Sequence, residues 1–205
     1  MKLISPSSIN KIQYINLSSV LEIDFETRKV EAFKEQLFVG NVVHDFIDMH
    51  FNQDAIYKVA LTSALYANKN SRVKGIDLTN DELKGIQHNI DYCLKYLSKF
   101  DSFDIELKVF NKYDRKFFKQ AIGGTADIVI HNDDDSVTIA DFKNYNNPTT
   151  DDLTKAYYQT LVYANIIKDT QDVEIKEIQI VYPTQEQVIT LPFQEVDITA
   201  IRTRY

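Results

Sequence analysis

Two aspartates and a lysine are the residues in this sequence whose types and spacing promise chemistry. Asp127 lies in the run Gly123-Gly124-Thr125-Ala126-Asp127-Ile128-Val129-Ile130, and Asp141 and Lys143 lie in Ile139-Ala140-Asp141-Phe142-Lys143. Side chains two apart on a strand leave the same face, so Asp141 and Lys143 share one and Phe142 points the other way, into a core. If Asn132 to Ser136 is a five-residue hairpin loop, Asp127 falls directly opposite Asp141, with Cβ atoms about 4.5–5.5 Å apart. A register slipped by one residue would put the two acids on opposite faces. Facing like charges destabilise a sheet unless something compensates them, and a divalent cation does so. Hard oxygen ligands suit magnesium or manganese, which hold a phosphate and lower the pKa of an attacking water. Lys143 beside such an ion would orient that water or stabilise charge developing on the phosphorus oxygens. D-x-K alone is also what a solvated strand end looks like; the cross-strand Asp127 is what sets this one apart.

Elements must exist to bring these groups together, and the spacing of apolar residues predicts them. Phe38, Val42, Val43, Phe46 and Ile47 recur at helical intervals within Glu31 to Phe51, which reads as a long helix after an irregular start. Asp54 to Ala67 and Leu78 to Phe100 read as two more, the latter with Thr79 or Asn80 as N-cap and Asp81 and Glu82 in its first turn. From about Phe103 the period changes to two: Ile105, Leu107 and Val109 alternate with Asp104, Glu106 and Lys108. Thr125 to His131 and Val137 to Phe142 continue as strands around the polar loop. A helix over about Asp152 to Lys168, strands over Glu177 to Tyr182 and Val188 to Leu191, and a short helix near Val196 to Arg204 complete the order.

Composition bounds the rest. With 205 residues, 44% hydrophobic, the chain can bury one sizeable core, and its 5 Gly and 4 Pro mark no linker. Met1 to Lys11 has no apolar run that would predict a signal peptide, and no stretch approaches the roughly 18 apolar residues of a membrane span. Cys93 is the only cysteine, which excludes an intrachain disulfide, a zinc ribbon and an all-cysteine iron-sulfur cluster, and suggests a reducing cytosol. The net charge of -7 argues against a nucleic-acid partner. Charge is uneven, however: Lys108, Lys112, Arg115, Lys116 and Lys119 stand against one Asp114, interleaved with Phe110, Tyr113, Phe117 and Phe118. Such a strip can hold phosphates and stack bases, or be a solvated hairpin with core aromatics.

Taken together, the acid and lysine segments resemble the core signature of the PD-(D/E)XK nuclease superfamily. Gln159-Thr160-Leu161-Val162-Tyr163 is similar to the Q-x-x-x-Y motif of its RecB-like branch, and Gly40-Asn41-Val42-Val43-His44 to that branch's G-x-x-x-H. Glu106 corresponds to an acidic residue that often precedes the G-x-x-D segment. Read singly, the plainer roles are favoured: His44 as a buried structural histidine beside Ile47 and Phe51, Gln159 as an exposed amide, Tyr163 as a core aromatic and Glu106 as an outward-facing acid. Within the branch the pattern looks like that of the mitochondrial genome-maintenance exonucleases and their bacterial or phage relatives. The resemblance implies an α/β, restriction-endonuclease-like core, a central mixed sheet flanked by helices, in a single domain over 1–205 whose first 100 residues are mainly helical. It further implies a magnesium or manganese ion held by His44, Asp127, Asp141 and the Phe142 carbonyl. Lys143, Gln159 and Tyr163 would complete a catalytic set, without an iron-sulfur cluster. The implied activity is an exonuclease on single-stranded DNA, cytoplasmic and serving DNA repair or recombination. An endonuclease of the same fold and a non-catalytic nucleic-acid-binding or protein-interaction module are the alternatives. Asn144 departs from the pattern, which commonly has Thr or Ser after the lysine, and no helicase-type phosphate loop is present.

Overall fold

A computed structural model of the chain describes residues 2–6, 36–71, 78–110 and 120–196. The apolar stripe of the first predicted helix becomes α1 (Gln36–Asn52), with Phe38, Val42, Val43, Phe46 and Ile47 all buried. Helix α2 (Tyr57–Ser71) begins three residues later than its pattern suggests. Asp54 has a φ of 53°, a left-handed backbone that helices exclude. Of the two candidate caps for α3 (Asn80–Leu97), Thr79 is the one used: its side chain accepts from the Glu82 amide, and Glu82 reaches back to the Thr79 amide. Thr149 and Asp152 repeat this capping box at the start of α4 (Thr150–Gln171), which ends on the left-handed Asp172.

The strands are β1 (Lys2–Ile4), β2 (Phe103–Phe110), β3 (Gln120–His131), β4 (Val137–Phe142), β5 (Ile175–Tyr182) and β6 (Gln187–Pro192). They form one mixed sheet in the order β1-β3-β4-β5-β6, with β2 also paired to β3. Two expectations need correcting here. The opening residues are not irregular throughout, because Lys2–Ile4 pair parallel to Gln120–Ile122. For the same reason β3 starts before Thr125, where glycines at 123 and 124 obscure the period-two pattern. The basic and aromatic residues of 111–119 lie outside the described residues, as does the terminal helix expected beyond Val196.

One face of the sheet packs on α4 through Ile139, Ile178, Ile180 and Tyr182. The other packs on α1, α2 and α3 through Ile105, Ile128, Ile130, Phe142 and Val181. Every residue of β4 is buried, as a central strand covered on both faces requires. No helix among the described residues is long and apolar enough to cross a membrane.

Candidate active site

Strands β3 and β4 pair antiparallel from His131↔Val137 to Ile128↔Ala140. They then part, and β4 runs on beside β5, with Asp141 opposite Ile180 and Phe142 opposite Val181. Asp127 and Asp141 are the next positions in the register, as the five-residue turn predicts, and they stand at the mouth of the fork. Asp127 closes it with its side chain: Oδ2 accepts the Phe142 amide at 3.0 Å. An N–H and C=O of one strand residue point to the same edge, so the Phe142 carbonyl is directed into the fork as well.

The fork coincides with a change of face in the neighbouring pair of strands. Ala126 belongs to the core on the α4 side, whereas Ile128 and Ile130, which regular alternation would place with it, belong to the core on the α1 side. In β2 the same change separates Val109 and Leu107 from Ile105. Between them stands Glu106, opposite Asp127, with a φ of 51°. A left-handed glutamate in a strand stores roughly 1–3 kcal/mol of strain, and here the twist delivers its carboxylate to the fork instead of leaving it on the outer face.

Helix α1 supplies the third group. His44 Nδ1 is 3.1 Å from Glu106 Oε1 and its Nε2 is 3.6 Å from Asp127 Oδ2, with the His44 and Glu106 side chains each 29% exposed and that of Asp127 11%. One ligand atom from each of His44, Glu106 and Asp127 lies within 4.8 Å of the others. One imidazole and two carboxylates are a donor set that fits a divalent ion, and the nitrogen suits manganese. Burial alone would lower the His44 pKa, but Asp127 and Glu106 together raise it to about 9.

Across the fork, on the side of α4, Lys143 Nζ lies 2.7 Å from Asp141 Oδ2, and the Asp141 side chain is only 2% exposed. Among the described residues both buried Asp141 oxygens keep acceptor capacity. Burial pushes the Asp141 carboxyl up to about 7 against the pull of Lys143. Lys143 is itself held above the ordinary lysine range, because Asp141 and Asp127 outweigh its desolvation. Lys143 Nζ also donates to Gln159 Oε1 at 3.4 Å. Burial raises the Tyr163 phenol, while a hydrogen bond from Gln159 opposes that shift. Gln159 thus reaches the lysine, with Tyr163 one turn further along α4 behind it.

The structure therefore gathers His44, Asp127, Asp141, Lys143, Gln159 and Tyr163 at one place and brings Glu106 fully into it. Asp141 is not among the three groups closest to sharing an ion; it stands beside them, paired with Lys143. One contributor escaped sequence reasoning. Asn89, fully buried on α3, donates to Asn144 Oδ1 at 3.1 Å and to Thr184 Oγ1 at 2.9 Å. It ties the residue after Lys143 to two other elements. The signal was available, since Asn89 is a polar residue inside the buried stripe of Ile86, Ile90 and Cys93.

A family model of the PD-(D/E)XK nuclease superfamily matches residues 4–192. The chain belongs to this superfamily. Membership makes it a metal-dependent nuclease whose substrate is nucleic acid, and the mixed sheet between helices is the restriction-endonuclease-like fold of such nucleases. Among solved structures the chain is similar to the crystal structure of SSO0001, at 16% identity over 80% of this chain and 70% of that one, with a TM-score of 0.44. No curated protein matches it.

Proposed function

We propose that this PD-(D/E)XK protein is a DNA exonuclease of the RecB-like branch, using magnesium or manganese and preferring single-stranded DNA in the cytoplasm. The observation that carries the reading is the fork, where acids from three strands, a histidine and a lysine converge. His44, Asp127 and Glu106 would hold the ion together with the Phe142 carbonyl, and Asp141 would join them by turning from Lys143. When bound, the ion supplies Lewis acidity toward the scissile phosphate and lowers the pKa of a water.

Asp141 and Asp127 favour the charged form of Lys143, and beside the ion its amine would orient the attacking water or stabilise charge developing on the phosphorus oxygens. Gln159 would help hold the ammonium, and Tyr163 would hold Gln159. The spacing of Gly40 and His44, and that of Gln159 and Tyr163, supports the RecB-like branch. A free DNA end and a bacterial or phage setting belong to the same reading, with the whole chain acting as one nuclease domain. Lys112, Arg115, Lys116 and Lys119 are its candidates for holding the strand, beside Lys108, which is exposed on β2.

The test is cleavage of end-labelled linear DNA, single- and double-stranded, and of closed circles, with manganese, magnesium or EDTA. Asp141→Ala and Lys143→Ala run alongside. Metal-dependent release of mononucleotides from linear single strands, lost in both variants, is the expected result. Cutting of closed circles would make the enzyme an endonuclease. Equal cleavage by wild type and variants would mean that the activity comes from elsewhere.

A further inference from the structure

Resting on the nuclease reading of the fork, the geometry points to Gly124 as a positioning residue for Lys143, acting through Tyr163 and Gln159. A Cβ on Gly124 would lie 2.8 Å from Tyr163 Oη, 3.2 Å from its Cε1 and 3.4 Å from its Cζ. The end of the phenol therefore rests on the bare Cα of Gly124. Tyr163 is 4% exposed and sits in the apolar core between α4 and the sheet, so a displaced ring has no solvent to swing into. From the ring the contacts run onward: Gln159 hydrogen-bonds the hydroxyl, accepts from Lys143 Nζ at 3.4 Å, and Lys143 meets Asp141 at 2.7 Å. A methyl group on β3 would thus be felt at an ammonium on the far side of the fork.

The usual reasons for a glycine do not account for this one. Gly124 is paired in the ladder opposite Val109 and its φ is not left-handed. In a strand interior, alanine is favoured over glycine by roughly 0.5–1 kcal/mol. Gly123 differs, because a Cβ there would strike the Val109 carbonyl at 2.5 Å and disturb the backbone itself. At 124 the obstacle is a side chain that takes part in the site. Removing that side chain should remove the obstacle.

Gly124→Ala, Tyr163→Ala and the double variant are compared for kcat and KM on single-stranded DNA, for Tm, and for DNA binding by fluorescence anisotropy in EDTA. A lysine displaced by a fraction of an ångström should lower kcat of Gly124→Ala by about 10- to 100-fold. KM and the affinity in EDTA should stay within about twofold, since ground-state binding is not involved. In the Tyr163→Ala background, adding Gly124→Ala should change kcat no further. The proposal falls if Gly124→Ala keeps wild-type kcat, or if the two losses multiply in the double variant. Should Gly124→Ala fail to fold, the double variant must fold and match Tyr163→Ala; its unfolding would equally overturn the proposal. A wild-type protein that cleaves no nucleic acid with either metal would instead bring down the nuclease reading, and this inference with it.

Discussion

The two ends of the β3–β4 hairpin carry the same kinds of residue with opposite consequences. At the turn, His131 pairs with Asp104 at 3.0 Å, their side chains 42% and 52% exposed, and Lys176 approaches Asp134 at 3.5 Å with 50% and 61% exposed. At the fork, His44 meets Asp127 and Lys143 meets Asp141 at comparable distances, with Asp141 2% exposed. At the turn, water can solvate each charge, so the pairs contribute roughly 0–1 kcal/mol and carry no chemistry. Fork charges have mainly one another. Residue type and proximity are thus shared by both ends; what differs is the solvent, and desolvation is what makes a carboxylate available to a cation.

The comparison breaks most visibly in activity. Asp127→Ala, Asp141→Ala and Lys143→Ala should each lose about 100- to 1,000-fold or more in cleavage rate. His131→Ala and Asp104→Ala should remain within about twofold of wild type. Initial rates on labelled DNA decide it, and a large loss at the turn would mean that exposure is no guide to function here.

Metal affinity sharpens the same contrast. Calorimetric titration with manganese should show Glu106→Gly and His44→Ala weakened by about 100-fold or more, beyond the 10–100-fold typical of groups that only support a ligand, with Asp104→Ala unchanged. Glu106→Gly should show this without destabilisation in chemical unfolding, because glycine adopts the left-handed φ of 51° freely. A variant that binds manganese normally would exclude Glu106 from the donor set.

Stability against pH separates the ends next. His44 has a pKa raised above its unfolded value of 6.5 to about 9, so its contribution is complete below pH 6.5 and is lost as pH rises through about 9. The metal-free Tm should fall across that window, and His44→Ala should flatten the fall. Manganese should also bind more tightly as pH rises through it, since the ion and the imidazolium proton compete. A Tm that rises from pH 6.5 to 9 in EDTA would contradict the carboxylate pair around His44. The smallest effect belongs to Lys176→Ala, which should change unfolding free energy by less than about 1 kcal/mol.

Much of the fold was legible because short-range rules governed it. The stripe from Phe38 to Ile47, the capping chemistry at Thr79, and the alternation around Ile105 each depend on neighbours within a turn or two. Elements went astray where that information ran out. Lys2–Ile4 pair with residues more than a hundred positions away, and no local pattern in three residues announces such a partner. Within the site, the register of Asp127 and Asp141 followed from the length of one turn. The place of Glu106 did not, because it depends on a backbone inversion that period-two reasoning assumes away.

By itself, then, the amino-acid sequence determined which groups were chemically competent and which pairs would share a face, since side-chain periodicity is a property of each helix and strand. Only the tertiary structure decided that β3 and β4 separate after Ile128 and Ala140, that Glu106 turns into the opening, and that Gly124 gives room to a tyrosine from α4. Those outcomes arise from packing between elements distant in the chain. The loss of water that turns an ordinary strand-end acid into Asp141 exists only once both helical layers have closed over the sheet.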